Sequence, residues 1–484
     1  NVLVTGLGPA GYTLAHYLLN LGYGVVAIDG LKIERVLSEY TLQYKNGNTI
    51  LPKPVKDFKN EIYTELDNRI QQGFGGVTEY GITVRLDKNF LTVIYLTLMR
   101  RKYFSFYDGV TLGNTITIDD VWELGFSHLA LCTGAAKPNV IPLKNNLIGG
   151  IRKSTDFLMQ LQLSGAQKDF NLTSMQISLP AIVIGGGLTA IDCATEIIAY
   201  YPIMTEKMFT KFHMLDKNSQ LRFLASLDDY NKAKFNLYLE HGLRFINEKA
   251  LAHKENRKPS LVKLINEFGG VKLIYRKRLT DTPSYRENHE EVVDALEQGV
   301  QFINLLSPVE AISDKNGTLV AVNFEKQSHC VNPETNKVSF NGTGEIISFP
   351  ARTLIVAAGT SPNTIYNDEH QNTFSVNEKS GFFETFDLIS SEDSISLERK
   401  TDGNGFFTSY LKNGKTISFF GDCHPNYFGS VVKAMASAKN GYSRVADSMK
   451  NLNPNCNDFH TFTNSLSDKF KTTVENVATL SPEY

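Results

Sequence analysis

The stretch Val2-Leu3-Val4-Thr5-Gly6-Leu7-Gly8-Pro9-Ala10-Gly11, continued by Tyr12 to Leu21, decides how this chain folds. A short β-branched run leads into glycines spaced G-x-G-x-x-G, after which apolar residues recur at helical spacing. Strand, glycine turn and helix in that order make the corner of a βαβ unit. Gly6 permits the tight turn, Gly8 lets the backbone approach a diphosphate, and Gly11 lets the helix pack closely on the strand, so that the diphosphate meets the positive helix N-terminus. The next strand, Gly24 to Ile28, ends at Asp29, where a carboxylate can accept hydrogen bonds from a ribose diol. His16, on the helix surface, has no partner in view and is assigned no chemistry.

The pattern returns at Ala181 to Ile184, which runs into Gly185-Gly186-Gly187-Leu188-Thr189-Ala190-Ile191-Asp192. Ala190 takes the last fingerprint position, a replacement that the motif permits. The helix that starts here reads through Tyr200. Two corners in one chain predict two dinucleotides, the arrangement of a flavin reduced by a nicotinamide. The end of the following strand selects the nicotinamide, because an acid favours a free ribose and an arginine accommodates a 2′-phosphate. Val271 to Tyr275 ends in Arg276-Lys277-Arg278 without an acid, so NADPH is expected, with Arg276 and Arg278 as forked donors.

Working outward, the 484 residues, 42% of them hydrophobic, can bury a large core and form two or three domains. Lys and Arg number 49 against 51 for Asp and Glu, a net charge of -2 that creates no basic field for nucleic acid or acidic membranes. The sequence has no apolar run of the roughly 18 residues that a membrane helix needs and no secretory pattern, so a cytoplasmic or organelle-matrix location is expected. The chain opens at Asn1, inside a strand, and further residues are expected ahead of it. Cys132, Cys193, Cys330, Cys423 and Cys456 form no close-spaced pair, which argues against a redox disulfide, a zinc site or an iron–sulfur cluster and for free buried thiols.

Other segments are distinctive: Gly75-Gly76-Val77-Thr78-Glu79-Tyr80-Gly81-Ile82 with Arg85-Leu86, Leu129-Ala130-Leu131-Cys132-Thr133-Gly134-Ala135, Ala357-Ala358-Gly359-Thr360, and Phe420-Gly421-Asp422 followed by Gly429 and Val431-Val432. Together with the two corners they resemble the glutamate synthase small (β) subunit type of FAD/NAD(P)-dependent oxidoreductase, over most of the chain. The resemblance implies FAD at Gly6, Gly8, Pro9, Ala10, Gly11 and Asp29, with Gly76 and Val77 passing near the flavin and Thr133-Gly134 at a domain junction. It also implies a closing FAD motif, Gly421-Asp422 with Val431, in which the aspartate holds the ribityl chain and a helix N-terminus faces the flavin. NADPH is implied at Gly185, Gly187, Leu188, Thr189, Ala190, Arg276, Arg278 and Gly359. The implied chemistry needs no catalytic side chain and no metal: hydride passes from NADPH to FAD, and electrons pass on to an unidentified acceptor or partner subunit. Cys423 and His424, beside Asp422, either tune the flavin or simply pack.

The sequence departs from that family at Leu188, where an Asn is usual, at Thr83, where a proline is usual, and in lacking the family's cysteine-rich N-terminal region. Two other readings therefore stay open: a non-catalytic FAD-binding subunit, and an oxidase or monooxygenase that uses oxygen. The order of motifs predicts two Rossmann-like three-layer α/β domains with parallel sheets, the NAD(P) domain inserted into a discontinuous FAD domain, because fully apolar strands need cover on both faces. The expected division is 1–150 and 350–450 for the FAD domain, 151–349 for the NAD(P) domain, and 451–484 as an extension, either flexible or linked to a partner. Within it, about 202–268 reads as a helical insertion, a docking place for a partner, and about 368–413 as a polar one.

Overall fold

Val2–Thr5 pairs in parallel with Val25–Asp29 on one side and His128–Leu131 on the other, so the first corner lies inside its sheet. The computed structural model describes all residues except 36, 46–47, 69–72, 136, 172, 174, 332–337, 391–394, 451–457, 471–472 and 479–484. Phe104–Asp108 and Lys415–Phe419 extend the parallel set to five strands, and Phe386–Ser390, Ile395–Arg399 and Phe407–Lys412 add an antiparallel edge. The polar stretch read as an insertion at about 368–413 thus supplies much of that edge. Alternate residues of the central strand serve opposite faces. Val2 and Val4 pack with the helices Pro9–Asn20 and Val431–Met449, while Leu3 faces the helix Ile118–Glu123 and the C-terminal helix Phe459–Phe470.

That last helix lies within the extension expected to be either flexible or linked to a partner, and its residues 459–470 are packed on the core. Phe459, Phe462 and Leu466 are buried at helical spacing, and the Tyr107 hydroxyl donates to the Thr463 carbonyl at 2.7 Å. The surrounding Asn, Thr and Ser residues mask this short apolar stripe in the sequence.

The second sheet has the parallel order Gln301–Asn304, Val271–Tyr275, Ala181–Ile184, Thr353–Val356, Ile151–Lys153. Helices Ser154–Ser164, Leu188–Met214, Asp229–Lys254 and His289–Glu297 cover one face. The other is covered by an antiparallel sheet of Leu306–Ser313, Leu319–Val331 and Val338–Pro350, so the third layer of this lobe is a sheet. The expected division at 350 falls one strand early, because Thr353–Val356 still belongs to this sheet. The chain crosses between lobes beside a small antiparallel pair, Lys137–Pro138 against Thr360–Ser361.

The region read as a helical insertion is helical, but its first helix does not stop at Tyr200. It runs to Met214 with Pro202 inside. A proline removes one helix hydrogen bond, and here burial of Tyr200, Tyr201, Met204 and Phe212 in the second lobe outweighs that loss. Lys217–Ser226, Asp229–Lys254 and Leu261–Glu267 complete the excursion.

Candidate functional site

At the first corner Gly6 has φ +93°, and a Cβ there would lie 2.4 Å from the Cys132 carbonyl oxygen. A Cβ on Gly11 would lie 1.8 Å from the carbonyl oxygen of Gly6, so neither position accepts a side chain. Pro9 and Ala10 form the buried first turn of the helix. Gly76, at φ +55°, comes down on the corner: a Cβ added to it would sit 3.1 Å from Gly8 Cα. The two glycines thus pack against each other, a closeness that a side chain on Gly76 would disturb. Val77 begins a short helix that ends at Tyr80.

Asp29 ends the next strand as read, and its carboxylate already accepts hydrogen bonds from the backbone N–H groups of Leu7 at 2.8 Å and Leu31 at 2.9 Å. Burial pushes its pKa above the ordinary carboxylate range against the pull of those two donors. The side chain therefore braces the glycine turn.

The closing motif comes from the far end of the chain. The Gly421 N–H donates to Ser437 Oγ at 2.8 Å, and a Cβ there would press on Ala10, 2.8 Å away. Asp422 accepts from the Gly429 N–H at 2.9 Å, and burial raises its pKa. Val431 opens the helix capped by Ser430, whose hydroxyl accepts from the Lys433 N–H. Thr133 and Gly134 lie at the crossing, where the Gly134 carbonyl accepts from Asn363 N–H at 2.9 Å and the Cys423 thiol approaches it at 3.3 Å. Cys423 and His424 are both fully buried. His424 lies between Phe406 and Phe419 and bonds the Gly405 carbonyl, and burial lowers its pKa to about 4.

At the second corner a Cβ on Gly185 would strike the Ala357 carbonyl oxygen at 2.3 Å, and one on Gly186 would enter the Tyr275 ring at 2.5 Å. Gly187 faces open space at the N-terminus of Leu188–Met214. Leu188 is half-buried, Thr189 exposed and Ala190 buried under the turn. Gly359 lies at the crossing, accepting from the Asn139 N–H at 3.0 Å.

The two arginines read as equivalents differ. Arg278 is held in a fork by Asp281, at 2.6 and 3.2 Å, whereas Arg276 is exposed and has no ion-pair partner among the described residues. Arg286, absent from the sequence reading, is brought to the same corner by the short helix Pro283–Glu287 and pairs with Asp281 at 3.5 Å. Burial raises the Tyr275 phenol's pKa, and the charges of Arg276 and Arg286 oppose that rise. The one available signal was Pro283, a residue suited to a helix start.

Among the described residues no cluster of His, Cys, Asp or Glu is arranged to hold a metal, and no helix is long and apolar enough to cross a membrane. Cys132, Cys193, Cys330 and Cys423 are free thiols, while Cys456 lies outside the described residues. Cys330 is exposed, unlike the buried thiol expected there, because it lies on the outer part of the strand Leu319–Val331.

Comparison with known proteins places this geometry. The protein RP006 of Rickettsia prowazekii is 35% identical over 455 residues, covering 92% of this chain and 53% of that protein. The chain thus spans about half the length of that relative. FprA of Mycobacterium tuberculosis, solved in complex with NADPH, superposes with a TM-score of 0.56 at 13% identity, over 97% of this chain and 89% of FprA. A further FprA structure, that of an oxidoreductase with a covalently modified NADP+, gives 0.55 at 12% identity with the same coverage. At such identities the likeness is one of fold. The pattern of the pyridine nucleotide-disulphide oxidoreductases, however, matches residues 1–382, and the chain belongs to that family.

Proposed function

We propose that the chain is an FAD-dependent NADPH oxidoreductase, which takes hydride from NADPH and passes electrons to a further acceptor in the manner of the glutamate synthase small subunit. The observation that carries this is the opposite charge beyond two similar glycine corners: Asp29 follows the first, and Arg276, without an ion-pair partner among the described residues, follows the second. FAD is assigned to Gly6, Gly8, Pro9, Ala10, Gly11, Asp29, Gly76, Val77, Thr133, Gly134, Gly421, Asp422 and Val431. NADPH is assigned to Gly185, Gly187, Leu188, Thr189, Ala190, Arg276, Arg278 and Gly359, and Arg286 joins them as a second cation for the 2′-phosphate.

The first corner suits a diphosphate because Gly8, at the N-terminus of the helix Pro9–Asn20, carries no side chain and leaves the turn open to a close backbone approach. When bound, the flavin supplies the two-electron chemistry, accepting hydride from a reduced nicotinamide. The chain binds, orients and excludes water. Asp422, its pKa raised by burial, would hydrogen-bond a hydroxyl of the flavin's side chain, and Arg276 and Arg286 would meet the 2′-phosphate.

The test is anaerobic titration of the purified yellow protein. NADPH bleaches the flavin and NADH does so less readily. Flavin that stays oxidised in excess NADPH overturns the proposal in favour of a non-catalytic FAD subunit, a reading to which Leu188 at the helix start lends itself. Peroxide formed as fast as NADPH reduces the flavin identifies oxygen as the acceptor. A screen of ferredoxin, quinone and glutamine with oxoglutarate separates the remaining acceptors.

A further inference from the structure

The segment from Gly76 to Lys88 belongs to the first lobe by chain order, yet it is held mainly by the second. Tyr80 and Val84 pack against the core of the NAD(P) lobe. Lys88, fully buried, donates to the Glu79 carbonyl and to Gln162 Oε1 at 2.8 Å, and Gln162 Nε2 donates to Glu79 Oε1, so the segment is pinned to the helix Ser154–Ser164. A second tie runs to the helix that starts at the second corner. Arg85 Nε donates to Glu196 Oε1 at 3.1 Å, its Nη2 donates to Asp192 Oδ1 at 3.3 Å, and the Val84 N–H donates to Glu196 Oε2 at 2.9 Å.

Resting on the function proposed above, we propose that Arg85 is a positioning residue for hydride transfer. Clamped by Glu196 and Asp192, it fixes the segment that lies over the first corner to the helix that presents the second dinucleotide. The same stretch touches Gly8 through Gly76 and Glu196 through Val84, so a shift of either lobe must stretch it.

Charge explains why the tie holds its place. Glu196 has no exposed side-chain surface, and the Arg85 and Asp192 side chains are only 16% and 19% exposed. Arg85, Glu196 and Glu291 face Asp192, while Arg85, the Val84 N–H and Lys88 face Glu196. Burial, with the two neighbouring glutamates adding to it, pushes Asp192 up to about 8. Burial raises Glu196 as well, and the Arg85 guanidinium opposes both rises. Removing one partner of such a pair leaves an uncompensated buried charge, whereas an exposed pair gives little when lost.

Arg85→Met keeps the aliphatic stem and removes the charge, and the Gln162 anchor remains to hold the fold. In FAD-loaded protein, the limiting rate of flavin reduction at saturating NADPH should fall about 100-fold, the scale of a displacement near 1 Å. The FAD content and the NADPH dissociation constant should stay unchanged, and Arg85→Lys should recover part of the rate. Independently of chemistry, hydrogen exchange across residues 80–88 should quicken in Arg85→Met. Unchanged reduction with a normal wild type overturns the positioning role alone, and so does a rate lost together with FAD. A wild-type flavin that NADPH never reduces overturns the proposed function and the positioning role together.

Discussion

The two glycine corners share a backbone plan and differ in how tightly each is closed. At the first, Gly11 lies under the carbonyl of Gly6 and no side chain fits; at the second, the same fingerprint position holds Ala190. The second corner is closed instead by the Tyr275 ring against Gly186. Beyond them the charge reverses, with a carboxylate tied to the first turn through the Leu7 N–H and, beside the second, a guanidinium without an ion-pair partner among the described residues. Backbone geometry closes each corner, and the proposed choice of ligand rests on the residue beyond the next strand.

The sharpest way to break this comparison is Gly11→Ala, which copies the second corner into the first. With a Cβ placed 1.8 Å from the Gly6 oxygen the helix must move. Overpacking of this kind costs about 1–3 kcal/mol or more, and protein purified without yellow colour is the expected outcome. Full FAD occupancy in that variant would show the two corners to be interchangeable. Next in size is Arg276→Ala. One charge-assisted hydrogen bond contributes about 1.5–3 kcal/mol, so the NADPH KM should rise roughly 10- to 100-fold while the NADH KM stays put. Equal changes for both nucleotides would remove the phosphate assignment.

Arg278→Ala should do less than Arg276→Ala, under about tenfold, because its donors are already engaged by Asp281 in a fork. Steady-state KM values for the two variants rank them, and an inverted order would mean that Asp281 gives way when the nucleotide binds. Smallest of all is Lys433→Ala. Lys433 pairs with Glu287 across the lobes at 3.3 Å, but both side chains are substantially exposed, at 49% and 33%. Exposed pairs contribute about 0–1 kcal/mol, so thermal stability and flavin reduction should hardly change. A large loss would make this contact a second clamp beside Arg85.

The corners were legible because they are local. Val2–Thr5 and Ala181–Ile184 are short, fully buried strands followed by glycine, and each is the middle one of five parallel strands. Features that depend on distant packing were not legible. Pro202 suggested a helix end, yet a buried aromatic run carries the helix on to Met214. The polar tail hid Phe459, Phe462 and Leu466, whose apolar partners lie in strands and helices far away in the chain. At the site, Arg276 and Arg278 looked alike until Asp281 was seen to claim one of them, and Arg286 had no fixed spacing to announce it.

The sequence by itself determined that two glycine turns lead from strand to helix and that acid follows one and base the other. Those properties are set within a few residues, by glycine's missing Cβ and by side-chain charge. Tertiary structure decided which of the basic residues Asp281 holds, where the chain crosses back between the lobes, and that Arg85 meets Glu196 from 111 positions away. Such pairings depend on which buried charges end up facing each other, and chain spacing carries no record of that.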